Sequence, residues 1–456
     1  MKSCPKCVRV FPDDAAFCPV DGTALVFASQ VPVAPSADDQ RLGKRLCNRY
    51  EVRRVVADGG MGRVYEGIDK EKNTRVAIKV LHDDVARDDV SLARFKREYE
   101  ISSVLPHDHI VDVLDFQRDE QAGVWLLVME FLDGEELRVV LKREKALHPA
   151  RVIRMLAQVA LGLDQAHARS FVHRDLKPDN LFLCGTREGD VVKILDFGSV
   201  KDKNKDAKKL TVLGTTIGSP YYMAPEQAQG LETLDARADV FALAAITYEC
   251  LAGAVPFNGS NGPSILLAIL TKDPEPPSLK GKDLPFPPPA TMDDVLEEAL
   301  AKNPNIRTAT VGALADAVGR AYGLAGEHKT WAAMREQDLV AQVEEARKRG
   351  PQSAMAQGDP FAAKDPFAAP DPFAAGSGRP GPGSAPPPAQ APDAAPTPSI
   401  DREAARAMDQ AFNATRAAEI EQAVAGMPPG RPGWVIPVVI VGVLVVLGGI
   451  AAVALR

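Results

Sequence analysis

Residues 351–400 hold 13 prolines in 50 positions, and Ala and Gly fill much of the remainder. Proline fixes its own φ and gives no N–H to a helix or a ladder, so no regular element runs through such a stretch. Few large apolar side chains remain there to offset the entropy of ordering, which predicts a disordered Pro/Ala-rich linker. The 456-residue chain is therefore expected to divide into a folded body upstream and a short end downstream. With 45% hydrophobic and 25% charged residues the body has material for a real core. A net charge of 54 − 61 = −7 excludes a global positive field, and no nucleic-acid partner is expected. Asp-Pro-Phe-Ala-Ala recurs at Asp359, Asp365 and Asp371, a period too short for a solenoid, and reads as spacer.

Downstream, 401–426 is rich in Ala, Glu, Arg and Gln and predicts a juxtamembrane helix. Residues 435–455 then run for 21 positions without a charge, enough to span a bilayer core of about 30 Å at about 1.5 Å per residue. A single C-terminal transmembrane helix follows as an expectation, with Trp434 at its interface and Gly448 and Ala452 forming a small-residue face for pairing. The first twenty residues carry Cys, Pro and Asp in place of an apolar signal, which places the N-terminal body in the cytoplasm and the protein in the cell membrane as a single-pass anchor.

Three of six cysteines lie in the first eighteen residues. Cys4-Pro-Lys-Cys7 and Cys18-Pro-Val-Asp21 are two turns able to offer Cys4, Cys7, Cys18 and Asp21 to one tetrahedral Zn²⁺. Residues 1–27 thus read as a small metal-stabilised ribbon, since so short a piece has too little core to fold without a metal. A polar linker is expected over 28–49.

The chemistry is concentrated between residues 50 and 322. Val76-Ala77-Ile78-Lys79 reads as a strand carrying an ammonium toward nucleotide phosphates. Upstream of it, Val56-Ala57-Asp58-Gly59-Gly60-Met61-Gly62-Arg63-Val64 is a glycine-rich turn through which backbone N–H groups can approach phosphate oxygens. An amphipathic helix is predicted over Leu92–Leu105, with Glu98 placed to pair with Lys79. Leu126–Leu132 reads as a buried strand. The most specific string is His173-Arg174-Asp175-Leu176-Lys177-Pro178-Asp179-Asn180, followed by Asp196-Phe197-Gly198 and Ala224-Pro225-Glu226.

In this order the motifs resemble the protein kinases over some 270 residues, and the layout as a whole is similar to bacterial transmembrane Ser/Thr kinases. The resemblance implies an α+β bilobal kinase fold at 50–322, followed by a helical extension at 323–350. It implies that Asp175 accepts or orients the substrate hydroxyl and that Lys177 meets the γ-phosphate, in the manner of Ser/Thr-specific members. Asn180 and Asp196 would bind Mg²⁺. ATP would lie against Val56, Ala57, Gly59, Gly60, Gly62, Val64, Ala77, Lys79 and Glu98, with Met129 as gatekeeper and Glu130 to Leu132 facing adenine. Asp239 would steady the catalytic loop and Arg307 would pair with Glu226. Arg174 implies a phosphorylated activation segment, with Thr211, Thr215 and Thr216 as acceptors and self-association as the route to them. Ala57 departs from the family's glycine, which predicts a modest cost if its φ stays negative. Partners are then protein substrates bearing Ser or Thr; the competing reading is a membrane-tethered adaptor without catalysis.

Overall fold

The computed structural model describes residues 2–3, 10–11, 26–27, 39–197, 220–231 and 233–349. Near the N-terminus, β1 (Lys2–Ser3) pairs antiparallel with both β2 (Val10–Phe11) and β3 (Val26–Phe27). Cys4, Cys7, Cys18 and Asp21 lie outside the described residues, as do 351–400, 401–426 and 435–455. Among the described residues no helix is long and apolar enough to cross a membrane.

The first lobe is a six-stranded sheet in the order β4-β5-β6-β7-β9-β8, antiparallel throughout: β4 (Arg45–Leu46), β5 (Tyr50–Asp58), β6 (Gly62–Asp69), β7 (Thr74–Leu81), β8 (Val113–Asp119) and β9 (Val124–Glu130). Side chains alternate across a strand, so in β7 Val76, Ile78 and Val80 turn into the core with Val52, Tyr65, Leu126 and Val128. The same alternation sends Ala77 and Lys79 to the opposite face, where the site is built. The short α1 (Asp83–Ala86) leads into α2 (Asp89–Val104). The latter starts three residues before the expected Leu92, because Asp88 caps it by accepting the Ser91 N–H at 3.0 Å. Its inward face carries Phe95, Glu98 and Ile101.

The second lobe is helical: α3 (Leu137–Glu144), α4 (Pro149–Ala168), α5 (Pro225–Ala228), α6 (Ala236–Ala252), α7 (Gly262–Thr271), α8 (Pro277–Lys280), α9 (Thr291–Ala299), α10 (Val311–Ala321), α11 (His328–Ala333) and α12 (Glu336–Arg349). A small sheet of β10 (Glu135–Glu136), β11 (Leu181–Thr186) and β12 (Gly189–Ile194) lies on it. α4 and α6 are buried along most of their length and form its axis.

The N-terminal edge of the body differs from the boundary read in the sequence. Asp39–Arg49, assigned there to the linker, folds with the sheet through the β4–β5 pairing and the Asp39 carboxylate. At the other edge α11 and α12 are seated on α4 by the fully buried Trp331, Leu339 and Val343. Gly319 makes room for Trp331: a Cβ there would stand 2.1 Å from the indole ring.

Candidate active site

Lys79 and Glu98 meet across the lobe at 3.3 Å, Lys79 delivered by β7 and Glu98 by α2. Burial pushes the Glu98 carboxyl up to about 7, opposed by the Lys79 ammonium and reinforced by the charge of Asp196. Burial works against the Lys79 ammonium too, but Glu98 and Asp196 outweigh it and its pKa is raised. One cation thus serves two carboxylates, in a pocket that favours further positive charge. Asp196 adopts a left-handed backbone at φ 60°, which turns it out of the extended run following β12.

The catalytic loop is held from behind. Asp239, fully buried on α6, accepts the backbone N–H of His173 at 2.8 Å and of Arg174 at 2.9 Å, and lies 2.8 Å from His167 Nε2. Burial raises the Asp239 pKa, but these partners more than compensate and keep it below the usual carboxylate range. His173 Nε2 lies 2.9 Å from the Leu195 carbonyl, which ties this loop to Asp196, the next residue in the chain. The side chains in front are more open: Asp175 is 41% exposed and accepts from Lys177 Nζ at 2.7 Å. Asn180 donates through Nδ2 to the Asp175 carbonyl at 2.7 Å and to its carboxylate at 3.3 Å. The amide oxygen of Asn180 and the Asp196 carboxylate are hard-oxygen groups, and the Leu195 N–H, donating to the Asn180 carbonyl at 2.9 Å, ties the two stretches of chain together. Mg²⁺ commonly takes one or two protein oxygens and completes its shell with phosphates and water. The donor set fits it on that basis.

Ala57 lies in β5 opposite Val64, outside the positive-φ residues, so the missing glycine costs no backbone strain. Val56 is 42% exposed on the same strand. Gly59 donates its N–H to the Gly62 carbonyl at 3.1 Å and closes the turn. Gly62 is obligatory, since a Cβ would stand 2.3 Å from the Val80 carbonyl, whereas one on Gly60 would meet nothing. Ala77 pairs with Met129 across β7 and β9. Glu130 donates its N–H to the Asp112 carbonyl at 2.9 Å, and its side chain accepts from Lys193 Nζ at 2.7 Å. Leu132 is half-buried just beyond β9.

Arg307 and Glu226 form a buried bidentate pair at 2.7 and 3.0 Å, as the sequence predicts. Thr211, Thr215 and Thr216 lie outside the described residues. Sequence patterns missed Arg138 on α3, whose guanidinium reaches Asp179 (3.2 Å), Glu249 (3.2 Å) and the Tyr222 hydroxyl (2.8 Å). They missed as well the charged groups around the glycine-rich turn: Asp39, Asp58, Arg63 and His82. The partners are up to 111 residues apart, and no local period marks them.

The protein kinase domain family matches residues 50–318. Serine/threonine-protein kinase pkn3 of Myxococcus xanthus is 37% identical over 278 residues, covering 60% of this chain and 50% of that protein. Serine/threonine-protein kinase PknA of Mycobacterium tuberculosis is 37% identical over 281 residues, 61% of this chain and 62% of its own length. PknB of the same species is 36% identical over 267 residues, 58% and 41%. The chain thus spans between two fifths and about three fifths of these relatives. With the paired Lys79 and Glu98, the braced catalytic loop and the Glu226–Arg307 anchor in place, this chain belongs to the protein kinase family.

Proposed function

We propose that the protein transfers the γ-phosphate of ATP to Ser or Thr hydroxyls of protein substrates. The observation that carries this is the pairing of Lys79 with Glu98, with Asp196 electrostatically coupled to both, together with Asp175 bonded by Lys177 and Asn180. Lys79, oriented by Glu98, neutralises phosphate oxygens; Asp175 orients the acceptor hydroxyl and takes its proton; Lys177 offsets charge developing between them. Bound Mg²⁺, held by Asn180 and Asp196, would supply charge neutralisation at the phosphates. An adaptor without catalysis has no use for a part-exposed Asp175 on a loop whose backbone is held by the buried Asp239. The test is transfer of label from ATP with Mg²⁺ by residues 39–349, beside the same fragment with Asp175→Asn. Label on Ser or Thr in the parent only supports the reading; equal label in both overturns it.

Regulation through the segment before Ala224 is part of the proposal. Among the described residues the buried Nε of Arg174 has no hydrogen-bond partner, and Arg97 on α2 adds positive charge beside it. Two cations close enough to repel one another favour a phosphorylated Thr211, Thr215 or Thr216, reached by a second copy of the chain. Active protein with no phosphate at these threonines by mass spectrometry would refute this. The spacing of Cys4, Cys7, Cys18 and Asp21 supports a Zn²⁺ ribbon, to be checked by metal content of the chain against Cys7→Ser. The uncharged run 435–455 supports membrane anchoring, which fails if the chain is extracted from membranes by carbonate.

A further inference from the structure

A chain of charged hydrogen bonds runs from the N-terminal edge of the body to the tip of the glycine-rich turn. It begins at Asp39, whose side chain is only 2% exposed. One of its oxygens accepts from Arg63 Nη1 at 2.7 Å and from the Tyr65 hydroxyl at 2.8 Å, and the other accepts the Arg41 N–H at 3.0 Å. Arg63, the second residue of β6, gives Nε and Nη2 to one oxygen of Asp58 at 2.8 and 2.5 Å. Asp58 closes β5, so this pair bolts together the two strands that flank the turn.

The other Asp58 oxygen lies 3.2 Å from His82 Nε2, and the same nitrogen is 3.0 Å from the Gly59 carbonyl. Both neighbours only accept, so Nε2 carries the hydrogen. His82 directly follows β7, three residues after Lys79, and its N–H donates to the Met61 carbonyl at 3.2 Å. The turn is thereby fastened from two sides to the strand that carries the phosphate-binding ammonium.

The fastening matters because the turn itself has little to hold it. A Cβ on Gly60 would meet no atom within 4 Å, and one on Gly59 only the Gly62 carbonyl at 3.7 Å. Glycines in open space lose the most conformational freedom on ordering, and a ligand that needs them ordered bears that loss in its affinity. Isolated exposed ion pairs contribute little, but here the terminal carboxylate is buried and each member has at least two partners.

We propose that Asp39 and His82 are positioning residues for ATP, holding the glycine-rich turn in register with Lys79 through the Asp58–Arg63 pair and the Gly59 carbonyl. The inference rests on the kinase reading above and adds two residues outside the family's motifs. It makes the segment ahead of Tyr50 part of the nucleotide site, so a displacement of the chain at Asp39 reaches Gly59.

The experiment uses the full chain, with phosphate transfer from ATP and Mg²⁺ first measured on the parent; a parent that transfers nothing refutes the catalytic reading and not this one. ATP KM and kcat are then compared for Asp39→Asn, His82→Phe, the double variant and His82→Gln. Each of the first two is expected to raise KM for ATP three- to tenfold with kcat within twofold. The double variant should raise it by less than the product, and His82→Gln, which keeps a donor, should restore it. Amide exchange across 57–63 should quicken alongside. If Asp39→Asn lowers the melting temperature sharply, His82→Phe decides, its side chain being 36% exposed. A KM within twofold of the parent, or a loss confined to kcat, overturns the proposal.

Discussion

Asp239 holds the backbone of His173 at 2.8 Å from 66 residues away, and so sets where Asp175 points. With Arg174 donating to its other oxygen, one carboxylate fixes two successive peptide groups. Asp239→Ala leaves both N–H groups without an acceptor, which costs about 2–6 kcal/mol of stability at about 1–3 per unsatisfied group. Asp239→Asn should lower kcat by about a hundredfold with little change in ATP KM, because it misplaces Asp175 and leaves Lys79 alone. Steady-state kinetics of a folded Asp239→Asn chain, checked by circular dichroism, would show a matching rise in KM if this assignment were wrong.

Asp175→Asn retains size and removes the proton acceptor. Phosphate transfer should fall by about 10²- to 10⁴-fold, the usual worth of a positioned acid–base group, while ATP binding persists. Nucleotide titration by calorimetry beside labelled-ATP transfer separates the two.

Trp331 locks α11 to α10 over Gly319, and its removal leaves a large void in a fully buried setting. Trp331→Ala should cost about 3–5 kcal/mol, and truncation at residue 330 should do at least as much by also losing Leu339 and Val343. Thermal melting of fragments ending at 330 and 349 tests this; equal midpoints would mean that the extension is ornamental.

Gly62 and Gly60 should part company under the same substitution. Gly62→Ala drives a methyl into the Val80 carbonyl and should destabilise by about 1–3 kcal/mol, whereas Gly60→Ala enters open space. Urea unfolding of the two variants should give clearly different midpoints.

Arg49 and the N–H groups of Glu71 and Lys72 hold Asp69 at about 2, below its ordinary 3.8, against the opposing effect of burial. The folded-state pKa is depressed, so the stabilisation is complete above the unfolded value and lost as pH falls through the folded one. At pH 7 it amounts to about 2 kcal/mol. The stability gap between the parent and Asp69→Asn should be constant from pH 7 to 5 and roughly halved by pH 3. A gap that does not move over that range would remove the pair from the ledger.

The sequence by itself determined the family and the residues to which catalysis is assigned here as a proposal. Lys79, Asp175, Asn180 and Asp196 stand in strings whose order and composition serve phosphate chemistry, and strand alternation alone sends Lys79 away from Val76, Ile78 and Val80. Glu98 as the partner of Lys79 and Arg307 as the partner of Glu226 were also legible, through the resemblance. Tertiary structure decided the rest: that Asp39 is buried against Arg63, that His82 reaches Gly59, that Arg138 gathers Asp179, Glu249 and Tyr222, and that α11 and α12 belong to the second lobe. These contacts join residues far apart in the chain or across a turn; those of Asp39, His82 and Arg138 are made by polar or charged side chains that elsewhere simply face water, and those of α11 and α12 by the buried Trp331, Leu339 and Val343. A carboxylate shows in the sequence as a charge. Whether it becomes a buried acceptor depends on which donors the packed lobes bring within about 3 Å, and no local pattern records that distance.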